Sequence, residues 1–130
     1  MFKVMQTISF CMTCAVASDK VFKTYEEKYA IPPKLLQAIA QVESGRHVNG
    51  KISPWSWTIQ AEGKSYYCSS KGQAIQVVKE LYQQGIYNID VGCMQINLKY
   101  HPHAFANLSE ALEPERNIAY AASYLRNLYD

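Results

Sequence analysis

The chain has 130 residues, of which 48% are apolar and 18% are charged, and its formal net charge is +2. This length accommodates one domain, and the composition is typical of a globular protein and excludes an intrinsically disordered one. The small positive charge gives no reason to expect a nucleic-acid partner.

The first 17 residues have the pattern of a signal peptide. Lys3 precedes an uncharged segment from residue 4 to 16, and Ala15–Ala17 provides the small-x-small sequence of a cleavage site. The apolar run is too short to span a bilayer, and no other stretch is long enough. We therefore expect cleavage before Ser18 and a periplasmic or secreted protein with no stable membrane insertion. The alternative is a buried N-terminal helix.

Cleavage at that point would leave two cysteines, Cys68 and Cys93. An even number of cysteines in an oxidising compartment favours a disulfide. In the chain-entropy description, closing a loop of this length would stabilise the fold by roughly 3 kcal/mol. Two buried free thiols are the alternative.

The first predicted elements are a helix and a hairpin. From Pro32 to Ser44 the apolar residues recur at helical spacing, the prolines suit a first turn, and Gly45 is placed to end the helix. Residues 46–54 are polar and predict a loop. Residues 55–68 alternate well enough to predict a β-hairpin that turns at Glu62-Gly63.

The second half of the chain is predicted to be mostly helical. Ser70 to Gln73 has the form of a capping box, and the helix that it opens is expected to end at Gly85. Residues 87–98 have no clean period, and a short helix around 109–112 precedes a last helix over 114–129. The buried stripe of that helix is predicted to contain Ile118, Ala121, Ala122, Leu125 and Leu128. The sequence thus predicts a mainly α, small helical domain with one short β-hairpin excursion.

Glu43 is the residue that points to chemistry. It continues an apolar row on one face of the first helix, formed by Leu36, Ile39 and Ala40. It also lies in the last turn, where the helix dipole disfavours an anion. Both effects favour the protonated carboxyl that a general acid requires. A solvent-facing glutamate near a helix end is the alternative.

Three motifs, in this order, carry a resemblance to a known family. They are IAQVESG at 39–45, GCMQIN at 92–97, and Asn117-Ile118 with Tyr124-Leu125. They resemble the signature of the lytic transglycosylases, in particular the family 1 catalytic domain with its lysozyme-like fold. The similarity runs from about residue 31 to about residue 128, and three ordered motifs are more specific than any one of them.

The resemblance implies roles for individual residues. Glu43 would be the catalytic acid/base, with Ser44 beside it. Met94 and Gln95 would line the glycan groove, and Asn97 would support their loop, so these residues and Ser44 are candidates for substrate binding. The family implies a peptidoglycan glycan strand as the substrate and no metal or organic cofactor.

A single carboxyl group is sufficient for the reaction that the resemblance implies. Glu43 would protonate the glycosidic oxygen between N-acetylmuramic acid and N-acetylglucosamine. It would then accept the proton of the muramyl C6 hydroxyl, which attacks C1 and gives a 1,6-anhydromuramyl end without water. Ordinary glycosidases need a second carboxylate. Asp90 is the best candidate for one, although an aspartate that accepts local backbone hydrogen bonds is the favoured interpretation.

Other polar and aromatic residues carry weaker signals. His101 and His103 flank a proline without a nearby acidic residue, so surface positions are favoured over a metal site. The aromatic residues of the hairpin segment could flank the groove, but a small core beneath the hairpin is the favoured interpretation. These residues are Trp55, Trp57, Tyr66 and Tyr67.

In the relatives, a further motif follows the last helix and carries a tyrosine that orients the catalytic acid. The sequence ends at Asp130 before such a motif. We therefore expect a transglycosylase domain over 18–130 that lacks its C-terminal part. Two other functions stay open: a lysozyme-like muramidase, and a non-catalytic peptidoglycan-binding or assembly protein. Secretion, conjugation or flagellar machinery are possible partners.

Overall fold

The computed structural model describes residues 15–130. This part of the chain contains five helices and six short strands. The helices are α1 (Asp19–Lys28), α2 (Leu35–Ser44), α3 (Lys71–Gln83), α4 (Leu108–Ala111) and α5 (Pro114–Tyr129). The strands are β1 (Gly45–Val48), β2 (Lys51–Pro54), β3 (Thr58–Ala61), β4 (Lys64–Tyr67), β5 (Asp90–Val91) and β6 (Ile96–Asn97). The predicted fold class, mainly helical with a small β part, is confirmed.

The strands form two antiparallel sheets. β1 and β2 pair as a separate hairpin, and the second sheet has the order β4-β3-β5-β6. The predicted hairpin is confirmed, because β3 and β4 are joined at Glu62-Gly63, whose φ angles are 53° and 75°. Two consecutive positive φ angles are typical of the type I′ turn, which matches the twist of the flanking strands.

The predicted loop over residues 46–54 is wrong, because most of it forms the β1–β2 hairpin. Asn49 and Gly50 have φ angles of 49° and 78°, which again is the type I′ geometry. Asn-Gly is the strongest local signal for such a turn. The hairpin was missed because the residues of its strands are mostly polar, although the Asn-Gly dipeptide indicates it. Helix α1 was not predicted either.

Helix α2 begins later than predicted. Its first residue is Leu35, so the two prolines precede it, and Lys34 at its N-cap has a left-handed φ of 69° and no capping side-chain bond. The cap comes from another helix. Glu26 of α1 is 5% exposed, and its Oε2 accepts the backbone N–H of Leu36 at 2.9 Å. A carboxylate at a helix N-terminus satisfies an unpaired donor and interacts favourably with the helix dipole.

Helix α3 has the ends that the sequence predicts. The Ser70 hydroxyl accepts the Gln73 N–H at 3.0 Å, and the Gln73 side chain accepts the Ser69 N–H at 2.6 Å. At the other end, Gly85 has a φ of 79°, and its N–H and that of Ile86 reach back to the last turn. This is a Schellman motif, which needs a left-handed residue at the position of the glycine.

The apolar residues pack as two clusters. The first is formed by α1, α2, α5 and the loop between β5 and β6, and the second by the larger sheet with α3 and α4. Phe105 packs against both. The predicted stripe of α5 is correct at Ile118 and Ala122, which are fully buried, but not at Leu128, which is 63% exposed.

The structure describes only the last three residues of the predicted signal peptide. Ala15–Ala17 lies antiparallel to Pro54–Ser56, and the Ser56 N–H donates to the Ala15 carbonyl at 2.7 Å. Ala15 and Ala17 are buried. The rest of the segment lies outside the described residues. None of the helices within 15–130 has the length and apolar character needed to cross a membrane.

The cap on α2 gives a prediction about stability. Replacing Glu26 with Ala leaves the Leu36 N–H buried without an acceptor, so we expect the free energy of unfolding to fall by about 1.5–3 kcal/mol. Urea denaturation followed by circular dichroism measures this change. Glu27→Ala, on the exposed side of the same helix, is the matched control and should change the free energy little. Equal effects of the two substitutions would show that Glu26 is not a cap.

Candidate functional site

Ser44 joins the end of α2 to the loop that connects β5 and β6. Its side chain is fully buried, and Oγ lies 2.7 Å from the Cys93 carbonyl oxygen, to which it donates, and 3.1 Å from the Ala40 carbonyl. The Ser44 carbonyl in turn accepts the backbone N–H of Trp55 at 3.2 Å. The Ser44 hydroxyl therefore joins the helix end to the loop, and its role in substrate binding stays a prediction.

Asn117 holds the same loop from helix α5. It is fully buried, and its Oδ1 accepts the Met94 N–H at 2.8 Å. Its Nδ2 donates to the carbonyls of Val91 and Ala111 at 3.0 and 2.9 Å. Three backbone groups thus depend on one amide, because buried polar groups without partners are costly. The loop is thereby fixed to α4 and α5.

Gly92 is required for this contact. Its φ is 83°, and a Cβ at this position would collide with the side-chain amide of Asn117. The Gly92 N–H donates to the Thr58 carbonyl at 2.9 Å, which attaches the start of the loop to β3. The glycine therefore serves two purposes, a left-handed conformation and the close approach of a helix side chain.

Gln95 has a strained backbone and a restrained side chain. Its φ of 52° lies in the left-handed region, which is uncommon for a residue with a side chain. Its Nε2 donates to the carbonyls of Thr58 and Gly92 at 3.0 and 2.9 Å. Such strain persists only where the surroundings impose it, and it concentrates at functional sites. This is the feature of the loop that most favours a functional role.

The contact between Ser44 and the β5–β6 loop is called the Ser44 junction below. Glu43 is the residue before Ser44. It is exposed, and within residues 15–130 its carboxylate has no hydrogen-bond or ion-pair partner. The apolar face of α2 therefore buries Leu36 and Ala40 but not Glu43. The expectation that Glu43 shares the buried face of the helix is not met in this structure. Glu43 lies in the last turn of α2, one residue before the contact between Ser44 and Cys93, and its catalytic role stays a prediction.

The other predicted binding residues differ in their accessibility. Met94 is 7% exposed and its side chain packs in the first cluster; its role in the glycan groove stays a prediction. Asn97 is half-buried; its Oδ1 accepts the N–H groups of Lys99 and Tyr100, both at 3.0 Å. Its Nδ2 donates to Asp90 Oδ1 at 2.9 Å. Asn97 thus supports the turn that follows it, and it also holds Asp90, the candidate second carboxylate.

The predicted Cys68–Cys93 disulfide is not present, and both residues are free thiols. Cys68 packs in the second cluster and Cys93 in the first, where its Sγ lies 3.8 Å from Asn117 Oδ1. Each sulfur therefore fills space in its own cluster. Burial raises the pKa of the Cys93 thiol to about 12, and it also raises the pKa of Cys68.

His101 and two of the four hairpin aromatic residues pack against other side chains. His101 Nδ1 lies 2.7 Å from the Tyr120 hydroxyl, and its ring contacts Tyr120 and Tyr124 edge-to-face. No group of metal-ligating side chains occurs within the described residues. Trp57 and Tyr66 pack against the second cluster, as the small-core interpretation predicts. Trp55 is half-buried and Tyr67 is 44% exposed, and neither packs against this cluster.

Two residues that hold the site were not assigned from the sequence. Asn117 has a signal, because it continues the buried stripe of α5, where a polar side chain needs partners. Thr58 has none: it is 2% exposed, and its hydroxyl donates to the Trp55 carbonyl at 2.8 Å. Its role depends on a carbonyl group that any residue would provide.

Comparison with known families identifies the class to which this site belongs. The family described as Transglycosylase SLT domain matches residues 20–130. The chain belongs to this family, as the resemblance predicted, and the described fold is consistent with a lysozyme-like domain. Comparisons with curated proteins and with solved structures gave no match. Members of the family typically cleave glycans, and the domain indicates peptidoglycan as the substrate.

Asn117 yields a prediction for the integrity of the site. Asn117→Ala removes the partners of three buried backbone groups, so we expect the free energy of unfolding to fall by about 3 kcal/mol. Urea denaturation measures the change. Asn127→Ala on the exposed surface of the same helix is the control, and its effect should stay within about 0.5 kcal/mol. A loss of unfolding free energy no larger than that of the control would show that the Asn117 side chain does not hold the loop.

The thiols give a prediction about reactivity. Because the raised pKa keeps Cys93 neutral, we expect it to resist iodoacetamide in the folded protein at pH 8 and to react fully in denaturant without reductant. Peptide mass mapping distinguishes it from Cys68. The neutral buried thiol stabilises the fold below its ordinary pKa of 9.0, and this contribution is lost as the pH rises towards about 12. Failure of both thiols to react in denaturant would indicate a disulfide.

Proposed function

We propose that the protein is a lytic transglycosylase that cleaves the β-1,4 bond between N-acetylmuramic acid and N-acetylglucosamine in peptidoglycan. The family match over residues 20–130 is the observation that carries this proposal. The hydrogen bond between Ser44 Oγ and the Cys93 carbonyl supports it, because it brings the helix end with Glu43 to the strained loop with Gln95.

In the proposed reaction, Glu43 is the single acid/base. Its carboxyl proton passes to the glycosidic oxygen, the C1–O bond breaks, and the N-acetylglucosamine end leaves as an alcohol. The carboxylate then accepts the proton of the muramyl C6 hydroxyl while the O6–C1 bond forms. The glutamate regains its proton, no water is consumed, and the new end is a 1,6-anhydromuramyl residue. The substrate thus replaces the second carboxylate of ordinary glycosidases.

The position of Asp90 favours this reaction over hydrolysis. Its carboxylate accepts the Asn97 amide across the β5–β6 pair, so a structural contact already occupies one of its oxygens. A lysozyme-like muramidase would need a second carboxylate free to activate water or to attack C1. Hydrolysis is therefore the less favoured assignment.

One observation favours a second candidate function. Glu43 is exposed and has no partner within residues 15–130, whereas general acids are usually held by burial and by neighbouring polar groups. A protein that binds peptidoglycan in the same groove without turnover would need no such environment. This function, as a binding or assembly protein, predicts intact glycan strands after incubation.

Export is part of the proposal, because peptidoglycan lies outside the cytoplasmic membrane. The cleavage pattern at Ala15–Ala17 supports a periplasmic or secreted protein. Cleavage before Ser18 would remove the residues that lie along Pro54–Ser56 and release the Ser56 N–H from its partner. Secretion, conjugation or flagellar machinery would be partners for which local opening of the wall is useful.

Digestion of purified sacculi tests the proposal. We expect the protein to release muropeptides with anhydro ends, lighter by one water than reducing-end products, when the products are analysed by mass spectrometry. Glu43→Gln should lower the rate by at least about 100-fold, in line with general acid–base contributions. Glu80→Gln, on an exposed part of α3, is the matched control and should retain activity.

The products separate the alternatives. Reducing ends would support hydrolysis, and intact sacculi that bind the protein would support the non-catalytic function. Full activity of Glu43→Gln would overturn the assignment of the acid.

A further inference from the structure

Arg46 forms a second feature next to the Ser44 junction. It lies three residues after Glu43, at the beginning of β1. The carbon of its guanidinium group is 4.6 Å from the centroid of the Trp55 ring and 5.8 Å from that of Tyr67. A guanidinium so placed is held by cation–π attraction to two aromatic faces.

The aromatic platform is itself held in place. The Trp55 indole N–H donates to the Cys68 carbonyl at 2.7 Å, and the Trp55 backbone N–H donates to the Ser44 carbonyl. The Ser44 junction thus positions both Glu43 and the ring on which Arg46 rests. The cation is therefore held beside rings that are attached to the end of the helix that carries Glu43.

The charge of Arg46 has no partner within residues 15–130. The ion pairs described there are Lys71–Glu113 and Arg126–Asp130, and no hydrogen bond from the Arg46 guanidinium occurs in the same part of the chain. The residue is exposed, and Tyr67 is 44% exposed. A guanidinium that lies over a ring keeps the N–H groups at its edge free. Two such N–H groups match the two oxygens of a carboxylate.

We propose that Arg46, with Trp55 and Tyr67, binds a carboxylate carried by the muramyl residue of the substrate. This inference rests on the proposed function. Peptidoglycan offers such a group in two places: the stem peptide, and the lactyl group once the peptide is removed. Arg46 would select glycan strands by the acidic group attached to the sugar, in addition to the sugar itself, and thereby determine specificity.

Kinetics on two substrates test the proposal. Arg46→Gln should raise the KM for peptide-bearing strands about tenfold and leave kcat within about twofold, as expected for lost binding that is not specific to the transition state. Arg46→Lys keeps the positive charge but loses the paired N–H donors of the guanidinium, so it should give an intermediate KM. Lys64→Gln is the matched control: Lys64 Nζ lies 4.9 Å from the Tyr66 ring on the neighbouring hairpin, and its loss should change KM less than twofold.

Strands stripped by an amidase identify the source of the carboxylate. A rise in KM on peptide-bearing strands assigns a stem-peptide carboxylate, because the lactyl carboxyl is held in an amide bond there. An equal rise on the stripped strands would show that Arg46 also binds the lactyl carboxylate, and a smaller rise would restrict the site to the stem peptide; either outcome supports the site. Binding of neutral chitotetraose to Arg46→Gln should equal its binding to the unsubstituted protein. An unchanged KM on peptide-bearing strands, or equally weakened binding of chitotetraose, would overturn the proposal.

A titration separates failure of this inference from failure of the proposed function. If the protein cleaves no strands, the function is wrong, but the carboxylate site is still measurable. Calorimetry with a soluble disaccharide-peptide muropeptide should then show about tenfold weaker binding to Arg46→Gln than to Lys64→Gln. Equal affinities of the two variants would exclude the carboxylate site independently of any activity.

Discussion

The hydrogen bond from the Ser44 hydroxyl to the Cys93 carbonyl connects the parts of the molecule on which the site depends. Helix α2 ends at Ser44, the Gly92–Gln95 loop lies against it, and the Ser44 carbonyl accepts the first N–H after the β1–β2 hairpin. One buried residue thus joins a helix, a loop and a hairpin. Because a buried hydroxyl without a partner is costly, the hydrogen bonds of Ser44 stabilise this arrangement.

The loop beside the junction is held from its other side by a second polar network. The Asn117 side chain forms hydrogen bonds with three backbone groups, two in or beside this loop and one in α4. Gly92 leaves the space that the Asn117 amide occupies. The strained conformation of Gln95 is therefore maintained by contacts from α5 and β3. The backbone of the loop is thus held from two sides by hydrogen bonds. The thiol of Cys93 contributes packing in the same region, without a covalent link.

Glu43 and Arg46, the two charged side chains that face solvent near Ser44, differ in the contacts that hold them. Arg46 rests on aromatic rings that the junction itself positions. Glu43 has no such contact within the described residues. Helical spacing predicted that Glu43 shares the buried face of α2, but the residue is exposed. Successive helix residues differ by about 100° in direction, and in the last turn the buried face falls on Ser44. The assignment of the acid therefore depends on the family and on the position, and not on burial.

The sequence by itself determined the family, the mainly helical class, the β3–β4 hairpin and the ends of α3 and α5, because local rules of capping, spacing and turn chemistry govern these features. It also contained the Asn49-Gly50 signal of the β1–β2 hairpin. Only the tertiary structure decided that Glu26 caps α2, that Ser44 is buried and that the two cysteines lie in separate clusters. These features join residues far apart in the chain, and side-chain contacts at such separations leave no periodic pattern in a sequence.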